Sequence, residues 1–160
     1  MSVRLHRLNK QRGRVLGFGA LGDRTLRIAI AGAGAISGYH LAGWRETPDV
    51  ELVAICDPVP EKAQARARDF GIGRVYTDFA EMLEAERPDA VEIVTPVGTH
   101  AGLVRAAAER GVHVSCQKPV TPTLAEAEAL IRDVGDRVRF MVHENFRLME
   151  QSYVAAGVRY

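Results

Sequence analysis

The chain has only two cysteines and one tryptophan among its 160 residues, and aromatic side chains make up 6%. Cys56 and Cys116 form neither a CxxC pair nor a zinc-ligand spacing, so they offer no disulfide framework and no cysteine-based metal site. Both fall at the ends of expected strands, so free thiols of a reducing, cytoplasmic compartment are expected. No apolar run approaches the ~18–20 residues needed to cross a bilayer. Neither sign of charge dominates: 21 Lys and Arg face 20 Asp and Glu, a formal net charge of +1. That balance gives no general reason to expect nucleic acid or a membrane surface as partner. There is no internal repeat and no low-complexity tract. The length suits a single domain, and a hydrophobic content of 47% is ordinary for a globular protein.

Residues 1–24 differ from the rest. Arg4, Arg7, Lys10, Arg12, Arg14 and Arg24 are opposed only by Asp23. Val15 to Gly22 is mildly apolar but holds three glycines, a poor core for a signal peptide. A basic, flexible extension is the expectation.

What the chain does have is a strand, a glycine turn and a helix in direct succession. Leu26 to Ala31 is a short apolar run with β-branched members, a buried-strand pattern. Gly32-Ala33-Gly34 follows, and Ala35 to Trp44 can run as a helix. In a phosphate-binding corner, the first glycine permits the tight turn and the second lets backbone approach a pyrophosphate. The free N–H groups and dipole of the helix then face the anion. Gly32, Gly34, Ala35, Ile36 and Ser37 are the candidate pyrophosphate residues. Ser37 stands where the G-x-G-x-x-G/A fingerprint asks for glycine or alanine, and is small enough for close helix–strand packing. Asp57 lies 25 residues after Gly32, at the end of a second apolar run, Glu51–Cys56. An acid there can accept hydrogen bonds from ribose hydroxyls and repel a 2′-phosphate. An Asp-Pro turn residue is the plain alternative. Pro58, Val59 and Pro60 follow, with no adjacent Arg or Lys, so NAD is preferred over NADP.

Strands and helices alternate from Thr25 onward. Helices are expected over Pro60–Phe70, Asp78–Glu86, Gly98–Arg110 and from the capping box Thr123-Leu-Ala-Glu126 to Val134. Strands are expected at Arg74–Tyr76, Ala90–Thr95, Val112–Cys116 and Arg139–His143. This rhythm predicts a doubly wound, mostly parallel α/β sheet of order 3-2-1-4-5-6, helices on both faces.

Three later strand exits are distinctive: Val94-Thr-Pro96-Val-Gly-Thr-His100, Val114-Ser-Cys-Gln117-Lys118-Pro119, and Val142-His143-Glu144-Asn145-Phe146-Arg147. Together with the glycine turn and Asp57, they resemble the glucose–fructose oxidoreductase / inositol dehydrogenase (Gfo/Idh/MocA) family, over about Leu26 to Arg147. The resemblance implies an NAD(P)-binding Rossmann domain over 25–147 that serves hydride transfer between nicotinamide and a secondary alcohol of a sugar, inositol or related polyol. It maps the family's substrate-contacting, proton-assisting lysine onto Lys118. The family's Glu-Lys-Pro is here Gln117-Lys118-Pro119, which keeps hydrogen bonding but not the acid's charge beside Lys118. Thr95, Pro96, His100, Gln117, Pro119 and Asn145 map near the cofactor, and Arg147 near a polar substrate. His100 could equally face solvent at a helix start. Tyr39 and Trp44 read as packing residues. A cis peptide bond before Pro119 is expected.

The resemblance also implies a second α/β domain with the substrate pocket and an acid/base histidine, which these 160 residues do not contain. Residues 148–160 read as a short helical tail, the start of a truncated second domain. The expectation is therefore a fragment or early-stopped dehydrogenase; a catalytically incomplete NAD-binding module acting by binding or assembly, as a homo-oligomer, is the alternative. An S-adenosylmethionine methyltransferase also uses a glycine turn and an acid after its second strand, but the Gln117-Lys118-Pro119 and His143–Arg147 segments argue against it.

Overall fold

The computed structural model describes residues 24–143. The expected basic extension, except Arg24, and the expected tail lie outside the described residues, as do Glu144, Asn145 and Arg147.

The alternation along the first strand decides the architecture. In β1 (Leu26–Ala31), Leu26, Ile28 and Ile30 point to one face of the sheet, and Ala29 and Ala31 to the other. Both sets are buried, so helices must cover both faces. On the first face lie α1 (Ser37–Arg45) and α2 (Pro60–Phe70). Leu41, Ala63 and Ala67 pack there on Ile30 and Ile55, and Trp44 packs on Leu26 and Ile28. On the second face lie α3 (Phe79–Glu86), α4 (Val97–Glu109) and α5 (Leu124–Val134), whose Met82, Leu83, Val104, Ala107, Leu130 and Val134 close the larger core. The remaining strands are β2 (Val50–Cys56), β3 (Val75–Tyr76), β4 (Ala90–Ile93), β5 (His113–Gln117) and β6 (Phe140–His143). All pairings are parallel and the order is β3-β2-β1-β4-β5-β6. The order reverses between β1 and β4, which is where doubly wound sheets open a crevice at their carboxyl ends.

Local chemistry sets the boundaries. Pro60 sits in the first turn of α2, and Gly71 ends it at φ 72°. Asp78 caps α3 by accepting from the Glu81 N–H at 2.8 Å, and Thr123 caps α5 by accepting from the Glu126 N–H at 3.3 Å. β4 is shorter than expected, because pairing stops at Ile93 and the chain turns away through Val94 and Thr95. Both cysteines are buried, and burial raises their thiol pKa values, Cys56 to about 11 and Cys116 to about 12. They stay protonated at neutral pH.

Arg24 is not part of a free extension. It pairs with Asp89 in two hydrogen bonds, of 2.5 and 2.9 Å, while Asp89 also accepts from the Arg27 N–H at 2.8 Å. Asp89 thus ties the start of β1 to the start of β4. Burial alone would raise its pKa, but Arg24 and the Arg27 amide outweigh that and hold it below the ordinary carboxylate value. A depressed folded-state pKa stabilises above the unfolded value, near 4, and the benefit is lost as pH falls through the folded value. Asp89→Ala should therefore cost about 1–2 kcal/mol in urea unfolding at pH 7. The difference from the parent chain should shrink as pH drops below about 4; a difference constant with pH would contradict this assignment.

Candidate functional site

At the end of β1 the chain turns at Gly32, φ 102°. A Cβ built there would lie 2.5 Å from the Val94 carbonyl oxygen. Only glycine lets the exits of β1 and β4 lie this close, and the Gly32 N–H also donates to the Cys56 carbonyl at 2.8 Å. Gly34 is the opposite case. Its φ is ordinary, and a Cβ there would meet nothing within 4 Å. Gly34, Ala35 and Ile36 are exposed, and α1 begins directly after them. The Ser37 and Tyr39 N–H groups turn back to the Gly34 and Ile36 carbonyls at 3.2 and 3.1 Å, so it is the amides of Gly34, Ala35 and Ile36, ahead of the helix at the exposed crest, that face an anion.

Charge is arranged to match. α2, α3 and α5 each carry a glutamate in the first turn, Glu61, Glu81 and Glu126. α1 and α4, which start at the exits of β1 and β4, carry no acid there. Their positive ends are left uncompensated beside the crevice.

Asp57 stands at the end of β2 as expected. Its Oδ2 accepts from the Ala33 N–H at 2.8 Å and its Oδ1 from the Val59 N–H at 2.9 Å. The carboxylate is pinned to the glycine turn itself, and each oxygen keeps a lone pair for a further donor. Ser37 is buried; its hydroxyl donates to the Gly34 carbonyl at 2.6 Å and accepts from Arg66 Nε at 3.2 Å. It shapes the crest from below and offers a ligand no surface, which corrects the expectation of direct contact. Arg66, on α2, also reaches the Gly34 carbonyl at 3.4 Å. Sequence reasoning passed over it because its approach depends on the packing of α1 against α2 at Gly38, where the guanidinium would meet a Cβ at 3.6 Å.

The exits of β4 and β5 are joined by His100, which is 1% exposed. Its Nε2 lies 2.7 Å from the Thr95 carbonyl and its Nδ1 3.0 Å from the Pro119 carbonyl. Neither solvent nor a ligand reaches the ring, so the expected contact with cofactor, and the solvent-facing alternative, give way to a bracing role. It holds Thr95, half-buried, and Pro96, exposed, against the Gln117-Lys118-Pro119 exit. Thr95 Oγ1 lies 2.7 Å from Thr99 Oγ1, which donates to the Pro96 carbonyl. The Lys118–Pro119 bond is cis. Gln117 Oε1 accepts from the Lys118 N–H at 2.7 Å, and Gln117 Nε2 lies 2.9 Å from His40 Nε2. Lys118 itself is half-buried at the carboxyl edge of the sheet.

Beneath this edge is a buried acid the sequence did not announce. Glu92, on β4, is fully buried. Trp44 Nε1 donates to its Oε2 at 3.2 Å, while His143 Nε2 and His40 Nδ1 lie 2.8 and 3.1 Å from its Oε1. Burial pushes its pKa up, but the two imidazoles outweigh burial and hold it below the usual carboxylate range; His143 is raised in return. Trp44 is therefore both packed and hydrogen-bonded. Tyr39, read as a packing residue, is instead 80% exposed.

Two substitutions separate the glycines. Gly32→Ala combines a strained φ with a backbone overlap and should cost ~2–4 kcal/mol in urea unfolding. Gly34→Ala should change stability by less than about 1 kcal/mol. Equal effects would contradict these two roles.

Residues 26–143 match the model of an oxidoreductase family described by its NAD-binding Rossmann fold. Among curated proteins, the chain is 45% identical over 120 residues to the D-apiose dehydrogenase of Paraburkholderia graminis, covering 74% of this chain and 32% of that protein. It is 36% identical over 115 residues to scyllo-inositol 2-dehydrogenase (NAD(+)) of Bacillus subtilis, covering 71% and 34%. The chain thus spans about a third of the length of these relatives. Among solved structures, an oxidoreductase of Agrobacterium radiobacter in complex with NAD+, L-tartaric acid and magnesium superimposes with a TM-score of 0.75 at 32% identity, over 82% of this chain and 40% of that one.

Proposed function

Because the chain belongs to the Gfo/Idh/MocA oxidoreductase family through residues 26–143, we propose that it binds NAD, in preference to NADP, as the nucleotide half of a sugar or polyol dehydrogenase. The observation that carries this is the Asp57 carboxylate pinned by the Ala33 amide at the lip of an exposed glycine turn. The open space over Gly34 fits a pyrophosphate, and the acid-free start of α1 favours its charge.

Bound NAD supplies a hydride acceptor at its nicotinamide. The chain's own residues do the rest of what this domain can do. The amides of Gly34, Ala35 and Ile36 hold the pyrophosphate. Asp57 accepts from ribose hydroxyls and repels a 2′-phosphate. Thr95 and Pro96, held by His100, form one wall, and Gln117 and Pro119 another. Lys118, half-buried at the carboxyl edge, would hold the reacting hydroxyl oxygen of the substrate and relay the proton it loses to water. The named activities of the relatives, on apiose and inositol, support a polyhydroxylated substrate. Among the described residues, only Lys118 is assigned to the reacting oxygen. The domain therefore contributes binding and orientation, which are the larger part of holding a near-attack geometry. A reducing, cytoplasmic setting suits the two buried free thiols.

Asp57→Ser tests the reading through a ratio that partial unfolding does not move. The affinity for NADP relative to NAD should rise about 10-fold or more, the equivalent of one charge-assisted hydrogen bond. An unchanged ratio would remove Asp57 from the ribose site. Gly34→Ala should weaken both nucleotides alike, since the pyrophosphate is common to them.

A further inference from the structure

The Glu92 cluster has a feature that the nucleotide site does not use. Glu92 Oε1 is buried and has no aligned hydrogen bond among the described residues, although two ring nitrogens stand 2.8 and 3.1 Å away. A buried carboxylate oxygen flanked by two imidazole nitrogens, with no well-aligned hydrogen bond, calls for a cation among the three, a proton or a metal ion. His40 Nδ1, Glu92 Oε1 and His143 Nε2 all lie within 4.8 Å of one another. They come from α1, β4 and β6, three elements fixed by sheet register and helix packing. The two rings stand at 89° to each other, centroids 4.8 Å apart, so they approach the carboxylate from different directions. A groove of about 350 Å³, lined by Tyr39, Trp44 and Met141 among others, opens onto both imidazoles. It gives an ion a route in and leaves room for a fourth donor.

We propose that His40, Glu92 and His143 form a binding site for a divalent transition-metal ion, Zn²⁺ by its donor set. Two imidazole nitrogens and one carboxylate with an open fourth position is a recurrent zinc arrangement. Ligand atoms on a tetrahedron with ~2.0–2.1 Å bonds stand ~3.3 Å apart. The 2.8 and 3.1 Å nitrogen–oxygen distances need small outward shifts, and the two imidazole nitrogens, up to 4.8 Å apart, must close in on the ion. Magnesium, which favours oxygen and its own waters, does not suit two nitrogens. This site is independent of whether the chain binds a nucleotide.

Gln117 sets the terms of entry. As placed, its amide donates to His40 Nε2, which leaves the His40 hydrogen on Nδ1, facing Glu92. A metal displaces that hydrogen. His40 Nε2 then carries one, and Gln117 must turn its carbonyl to accept it, giving up the Lys118 N–H. A carboxylate at position 117 accepts without that conflict.

The test uses the full chain after chelator treatment, titrated with Zn²⁺ by calorimetry and with Co²⁺ by visible absorption. One saturable equivalent with tetrahedral Co²⁺ bands is expected. His143→Ala and Glu92→Gln should each weaken binding at least ~100-fold, Gln117→Glu should strengthen it ~10-fold, and His6→Ala should leave it unchanged. Unfolding midpoints in EDTA identify any variant that fails to fold. His143, half-exposed on an edge strand, decides the matter if Glu92→Gln unfolds. Absence of saturable binding, or binding unmoved by His143→Ala in a folded chain, would overturn the proposal and leave the cluster as a proton-held ion pair.

Discussion

The close backbone contact between Gly32 and Val94 is the constraint on which the rest of the site depends. Two parallel strands separate at their carboxyl ends only if the first turns sharply. At Gly32 the turn requires a positive φ and tolerates no side chain, since a Cβ would sit 2.5 Å from the Val94 oxygen. That contact sets the start of α1 directly over the β1–β4 switch point. It also places the Ala33 amide where Asp57 can hold it. The crest, the Asp57 carboxylate and the Thr95–Pro96 exit therefore share one origin.

A second layer of order lies below the crest. His100 joins the β4 and β5 exits, and Glu92 gathers Trp44, His40 and His143 beneath them. The two layers meet at Gln117, whose amide touches His40 on one side and the Lys118 backbone on the other. With an amide at position 117, the buried negative charge lies one strand away, on Glu92. The edge that presents Lys118 is thereby supported by a network of neutral and charged groups.

Much of this was legible in the sequence, because it rests on local chemistry. The order of elements followed from apolar periodicity, and Pro60, Gly71, Asp78 and Thr123 marked their ends. The glycine turn and Asp57 were readable because close approach and acidity leave few substitutes. The Glu92 cluster was not readable. Glu92 sits in an apolar run, Gln117 and Ser115, whose Oγ lies 2.6 Å from His143 Nε2, in another, and His143 in a third. Only the parallel register, Glu92 beside Ser115 and Gln117 beside His143, puts them on one face with His40. His100 was misjudged for a related reason: its burial depends on two exits meeting 19 residues apart in sequence. Arg66 reached Ser37 only through helix packing.

An amide NMR titration of the chain with NAD is the decisive measurement. Shifts should concentrate at Gly32–Ser37, Asp57 and Thr95, with smaller changes at Gln117 and Lys118. Shifts elsewhere, or none from a folded chain, would contradict the claim that this crest is a working nucleotide site.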